Sequence, residues 1–371
     1  MKLSLLGRAG AVALVGAVAL TACGSDDPLG TAASGAPGAG GATSETSTLS
    51  GELDGAGASS QEKAMDAWRA GFQASHPDVT VNYDPVGSSG GRRQFVDGGV
   101  DFAGTDSALK PDELEAAAAR CEAVDIPVYV SPIAVAFHLD GVRELNLAPA
   151  TIARIFRGEI TSWDDAAIVA DNPGVDLPAL AITPVHRADG SGTTKNFTDY
   201  LHRTAPEAWP DEGADDWPVA GGESGTGTSG LVQAVQAAQG TIGYADESAV
   251  PADLGVVAVQ VGDAFVAPSA EGAAAALAAS PRDTLRAEHD IAVEVDRTTT
   301  AEGAYPVLLV SYAVACLTYP DQETADLVKG LLGYVVSDEG QAAAQAAAGS
   351  APLPPELATA ARATVDAITV G

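Results

Sequence analysis

The chain of 371 residues has only three cysteines, Cys23, Cys121 and Cys316, too few and too far apart for a zinc site or a disulfide-dense module. Aromatic residues are sparse at 5%, which argues against a platform for stacking bases or sugars. Positive charge is scarce as well: 19 Lys and Arg stand against 50 Asp and Glu, a formal net charge of −31. Nucleic acid and anionic membrane surfaces are therefore poor partners for the body of the protein. His76, His138, His186, His202 and His289 are scattered without metal-ligand spacing, so no metal is expected, and no cofactor either. What remains is ordinary globular composition, 46% hydrophobic and 19% charged, with 41 Gly and 22 Pro for tight turns. The length suggests two domains.

The first residues carry Lys2 and Arg8 and no acid, and residues 9–20 are an unbroken run of apolar residues and glycine. At about 1.5 Å per residue this run spans roughly 18 Å as a helix, short of a hydrocarbon core of about 30 Å. Charged start, short apolar run and small residues before Cys23 describe an export signal over residues 1–22. Leu20-Thr-Ala-Cys23 resembles the bacterial lipobox, which implies a lipid such as palmitate on Cys23; a secreted protein with a free N-terminal cysteine is the alternative. Cleavage there would remove Lys2 and Arg8 and leave a charge of 17 − 50 = −33. Of residues 24–48, 21 are Gly, Ala, Ser, Thr or Pro, so residues 23–49 read as a flexible tether. An extracytoplasmic protein held at the cell membrane by its lipid is expected.

Beyond the tether, residues 79–86, 100–104, 181–185 and 241–245 read as strands, and 111–120, 149–157, 229–239, 321–336 and 340–348 as helices, with another from about Glu356. Residues 126–137 and 307–317 are two long extended stretches. Alternating strands and helices predict an α/β architecture with largely parallel sheets.

Three segments share one build, a strand, a small-residue corner and a helix: Gly55-Ala-Gly-Ala-Ser-Ser60, Gly87-Ser-Ser-Gly-Gly91 and Gly190-Ser-Gly-Thr-Thr194. The first N–H groups of such a helix have no internal partner, small residues let an anion approach them, and the dipole favours negative charge. One corner alone is most often a plain helix cap. None is a Walker A loop or a dinucleotide fingerprint. Three together, with Arg187 just before one of them, suggest an enclosed tetrahedral oxyanion.

These corners, together with Val81-Asn-Tyr83, Val100-Asp-Phe-Ala-Gly-Thr-Asp106, Arg187-Ala-Asp-Gly-Ser-Gly-Thr193 and Gly240-Thr-Ile-Gly-Tyr-Ala245, resemble the phosphate-binding protein of bacterial phosphate ABC importers, over about residues 50–371. The resemblance implies a type II periplasmic-binding-protein fold, two α/β lobes joined by two extended crossovers with a ligand cleft between. Residues 50–137 and 305–371 would form lobe 1, and 138–304 lobe 2. It further implies phosphate contacts from Ser59, Ser60, Ser88, Asp106, Arg187, Ser191, Gly192 and Thr193, with Asp189 orienting Arg187. The family usually has Phe-Pro where this chain has Ser60-Gln61; a backbone donor survives that change, and an apolar side chain packing the cleft is lost. The implied role is a monomeric solute-binding protein that takes inorganic phosphate and delivers it to an ABC permease without covalent chemistry.

Asp106 is the discriminating residue. A carboxylate beside an anion repels it unless the ligand brings a proton; phosphate carries P–OH, whereas sulfate at neutral pH does not. A receptor for sulfate or molybdate is the rival among binding proteins. An extracellular phosphatase is the rival among enzymes, and neither a nucleophile in a Gly-x-Ser-x-Gly frame around Ser191 nor a metal-ligand set supports it. His186 reads as a strand residue, and Asp164-Asp165 and Asp215-Asp216 as solvated loop acids. Cys121 and Cys316, the remaining thiols of an exported chain, are expected to form a disulfide.

Overall fold

Alternating β-branched residues build the first strands, and a computed structural model describes residues 49–371 of the chain. The leader, Cys23 and the tether up to residue 48 lie outside the described residues. β1 (Gly51–Gly57) pairs in parallel with β2 (Val79–Asp84) and with β3 (Phe102–Thr105), and α1 (Glu62–Ser75) and α2 (Ser88–Val96) lie on the connections. α1 turns Ala64, Met65, Trp68 and Phe72 inward, a spacing that keeps one helical face in the core. α3 (Pro111–Ala117) opens on its proline with Asp112 and Glu113 in the first turn, where the dipole favours acids.

β4 (Ala123–Phe137) is buried along its whole length. After it come β5 (Glu144–Leu147), α4 (Pro149–Phe156), α5 (Ala166–Asp171), β6 (Thr183–Arg187), α6 (Gly192–Thr204), β7 (Glu223–Gly225), α7 (Gly227–Ala237) and β8 (Thr241–Asp246). β9 (Gly255–Val261), β10 (Ala264–Val266) and α8 (Ala270–Ala278) precede β11 (Leu308–Cys316), and α9 (Gln322–Val335), α10 (Asp338–Ala348) and α11 (Pro355–Asp366) follow it.

The main sheet runs β2-β1-β3-β11-β4-β8-β6-β7, with β9, β5 and β10 off this path. Its outer pairs are parallel, as expected, but its centre is not: β11 runs antiparallel to β3 and β4, and β4 antiparallel to β8. The expectation of largely parallel sheets holds only away from this centre. β4 changes partners along its length, pairing with β11 through Pro132 and with β8 from Ile133 onward. The two extended stretches of the sequence are thus the strands that carry the sheet from one α/β group to the other. Both are buried along their whole length and largely apolar because both faces are covered.

Cys121 and Cys316 are joined in a disulfide, with Cα atoms 5.6 Å apart across 195 residues of sequence. It ties the chain just before β4 to the end of β11, and in the loop-entropy account a link of this span contributes about 5 kcal/mol. Residues near 283–293 also reach back to the first group: Arg286 Nη2 donates to Leu109 O at 2.6 Å and Ile291 N to Asp125 O at 2.8 Å. No helix among the described residues is long and apolar enough to cross a membrane.

Candidate functional site

The three small-residue corners meet at Asp106, which follows β3 directly and is 3% exposed. Its carboxylate takes three hydroxyl hydrogen bonds: Ser60 Oγ donates to Oδ2 at 2.5 Å, Thr193 Oγ1 to Oδ2 at 3.1 Å, and Ser311 Oγ to Oδ1 at 2.7 Å. Its backbone N–H donates to Ser88 Oγ at 3.2 Å, and its carbonyl accepts from Asn196 Nδ2 at 2.7 Å. One residue therefore binds Ser60 of the first corner, Ser88 of the second and Thr193 of the third.

The first corner turns as a short 3-10 segment, Ser59–Gln61, before α1 begins at Glu62; the second and third open α2 at Ser88 and α6 at Gly192. Ser191 caps α6 in the ordinary way, accepting from Thr194 N at 3.2 Å. The Ser59–Gln61 turn and α2 have no side-chain cap, so no side chain claims their leading N–H groups. Gly87 enters α2 at φ +87°, and a β-carbon there would strike the Asp189 carboxylate. A β-carbon on Gly192 would lie 2.8 Å from Asp106 Cβ and from Ser88 Oγ, so only glycine allows this approach.

Arg187 ends β6 at 4% exposure, and its guanidinium forks onto Asp189: Nε donates to Oδ1 at 2.8 Å, and Nη2 donates to Oδ2. Gly227 N also donates to Asp189 Oδ1 at 2.9 Å. Burial raises the Asp189 carboxyl, but the hydrogen bonds and charge of Arg187 outweigh it and hold the group below the usual range. Ser59 lies on the far side of the first corner, where its Oγ accepts from Thr228 N at 3.0 Å and sits 3.0 Å from Thr228 Oγ1.

Burial pushes the Asp106 carboxyl up, and the hydroxyls of Ser60, Ser311 and Thr193 with the charge of Arg187 pull it part of the way back. Tyr129 is buried and Tyr83 half-buried; desolvation raises both phenols, and the charge of Asp106 adds to the rise.

Four residues of this neighbourhood escape a reading of the sequence. Ser311 and Gln61 come to Asp106 through strand pairing and a buried turn, and Thr228 comes to Ser59 from α7. Asp215 is the fourth, and here the expected solvated loop acid is corrected. It is 4% exposed and bonded by Arg92 Nη2 at 3.0 Å, Lys110 Nζ at 2.7 Å and Ser107 Oγ at 3.0 Å. Arg92 pairs with Glu113 as well, and the Lys110 side chain reaches solvent, so Asp215 is the shared carboxylate that joins the two cations. Asp216 beside it is exposed, as expected. Gln61 replaces the expected loss of packing with polar anchoring: it is 1% exposed, and Nε2 donates to Ser311 Oγ at 2.6 Å and Tyr312 O at 2.9 Å.

Comparison with known proteins places this geometry in a family. The PBP superfamily domain model matches residues 42–339. The chain is 33% identical to "Phosphate-binding protein PstS2" of Mycobacterium bovis, with 100% of both chains covered. It is 35% identical to "Phosphate-binding protein PstS" of Xylella fastidiosa over 71% of this chain and 72% of that one. Among solved structures it resembles a high affinity periplasmic phosphate-binding protein (PfluDING) bound with phosphate, at TM-score 0.67 and 21% identity, covering 84% of this chain and 93% of the other. A phosphate ABC transporter substrate-binding protein with bound phosphate from Clostridium perfringens aligns at TM-score 0.60 and 20% identity, over 82% and 100%. The last two likenesses speak to the fold.

Proposed function

The chain belongs to the PBP superfamily and, within it, to the phosphate-binding proteins, and from that premise we propose that it is the extracytoplasmic receptor of a phosphate ABC importer. The observation that carries this reading is Asp106, a buried carboxylate ringed by hydroxyl donors at the meeting of three helix-opening corners. Two unit charges of like sign about 4 Å apart repel by about 4 kcal/mol at an effective dielectric near 20. A protonated oxyanion escapes that cost by donating its P–OH to the carboxylate.

On binding, Ser60 and Thr193 turn their protons from Asp106 Oδ2 to phosphate oxygens, and Oδ2 accepts the P–OH. Ser311 stays on Oδ1. Arg187, held flat by Asp189, meets two further oxygens with its fork. N–H groups at Ser60, Ser88, Gly192 and Thr193 complete the shell, with Ser59 and Ser191 beside them. Charge-assisted hydrogen bonds of this kind contribute about 1.5–3 kcal/mol each. The surface charge of −31 opposes this little, because acids beyond a Debye length of about 8 Å are screened.

The lobes proposed are residues 50–137 with 305–371, and 138–304, closing on the ligand by a hinge in β4 and β11. A lipid on Cys23 and a slack tether would hold the monomer beside its permease. The ligand leaves unchanged in this reading, in keeping with a family of binding proteins. Titration calorimetry of the chain with phosphate, sulfate and arsenate tests the reading. Phosphate binding with sulfate much weaker is expected; equal affinity for the two overturns it.

A further inference from the structure

Asp106 must remain a hydrogen-bond acceptor for phosphate to be preferred, and burial works against that by favouring the protonated acid. The structure holds a device that opposes this. Tyr312 O, a main-chain carbonyl, can only accept, so the Gln61 side-chain atom 2.9 Å from it is the amide nitrogen. The same nitrogen lies 2.6 Å from Ser311 Oγ, which must therefore accept its second N–H. A serine hydroxyl has one proton, and with its acceptor side taken Ser311 has Asp106 Oδ1, 2.7 Å away, to give it to. The direction of the relay, Gln61 to Ser311 to Asp106, is set by an irreversible acceptor at its far end. All three side chains are at most 3% exposed, so water does not substitute for a missing link.

Resting on the reading of the site as a phosphate receptor, we infer that Gln61 acts through Ser311 as a specificity-positioning residue that keeps Asp106 an acceptor when the cleft is filled. Ser60 and Thr193 share Oδ2 and are needed by the ligand; Ser311 alone serves Oδ1. Neither Gln61 nor Ser311 touches the ligand in this arrangement. Ser60-Gln61 thus changes the corner from apolar packing to proton control. The other titratable groups facing Asp106 are Arg187 from β6, Tyr83 from β2, Tyr129 from β4 and Asp246 from β8. Arg187 favours the carboxylate and Asp246 disfavours it when charged; the phenols stay neutral.

The sign of the effect follows. Loss of a donor raises the pH at which Asp106 takes up its proton, and a protonated Asp106 donates to sulfate and no longer accepts from phosphate. The test is calorimetry of phosphate and of sulfate from pH 5 to 9 on the wild-type chain, Ser311→Ala and Gln61→Met, the last nearly conserving volume. The preference for phosphate should collapse on acidification in all three, with its midpoint higher by about one pH unit in Ser311→Ala and by less, in the same direction, in Gln61→Met. A wild-type midpoint in either variant overturns the relay while leaving the receptor reading intact. A wild-type chain without preference for phosphate overturns both.

Discussion

Arg92 Nη2 and Asp215 Oδ2 are 3.0 Å apart, joining residues 123 positions apart in sequence through a contact buried on both sides. Arg92 lies on α2 of the first α/β group, with Ser107 and Lys110 beside it, and Asp215 lies in the loop after α6 of the second. Such a contact forms only when the two groups are together, and we propose that it acts as a clasp between them. Asp215→Asn should raise the phosphate dissociation constant at least tenfold, mainly by faster release, because breaking a buried pair costs about 3–5 kcal/mol. Stopped-flow dissociation with an unchanged rate would remove the clasp. Burial raises the Asp215 carboxyl, but Arg92 and Lys110 outweigh it and hold the group low. Its contribution is therefore complete above the ordinary aspartate range and fades only as pH falls through the depressed value.

Arg187 presents a fork that Asp189 holds in one plane. Arg187→Ala should weaken phosphate binding at least tenfold, and Arg187→Lys should recover only part of the loss, since a point charge matches one oxygen rather than two. Full recovery by lysine, read by calorimetry, would show that charge alone matters there.

Asp246 ends β8 opposite Ile133, at the point where β4 changes partners. Its Oδ1 accepts from Ser248, its Oδ2 is buried without a partner, and burial pushes its carboxyl up to about 7. A folded-state value above the unfolded one means that the folded chain holds a proton the unfolded chain has released, between about pH 4 and 7. Stability should therefore fall as pH rises through that window. Asp246→Asn should flatten the slope and raise the melting temperature at pH 8; an unchanged slope in thermal melts would contradict this.

The corners were legible because helix-opening chemistry is local: Gly87, Ser88, Ser191 and Gly192 announce themselves within a few residues, and each opens a helix or caps one. The two extended stretches were legible for a similar reason, a long run of mostly β-branched and apolar residues interrupted only by serines and prolines. Their antiparallel pairing was not, because strand direction here is set by the long excursion from residue 138 to 307 that separates β4 from β11. Ser311 sits in the middle of an apolar strand and Gln61 beside a serine pair, and nothing local distinguishes them from filler. Asp215 reads as a loop acid next to Asp216, and only the fold brings Arg92 to it. Charge clusters and caps are written in sequence; the partner of a buried polar group is written in topology.

If Asp106 admits phosphate because the ligand brings a proton, calorimetry of Asp106→Asn with phosphate and with sulfate at neutral pH will show it. An amide of the same shape can donate as well as accept, so phosphate should bind more weakly and sulfate more strongly, with the preference reduced at least tenfold. The wild-type ratio of the two dissociation constants in Asp106→Asn would contradict it.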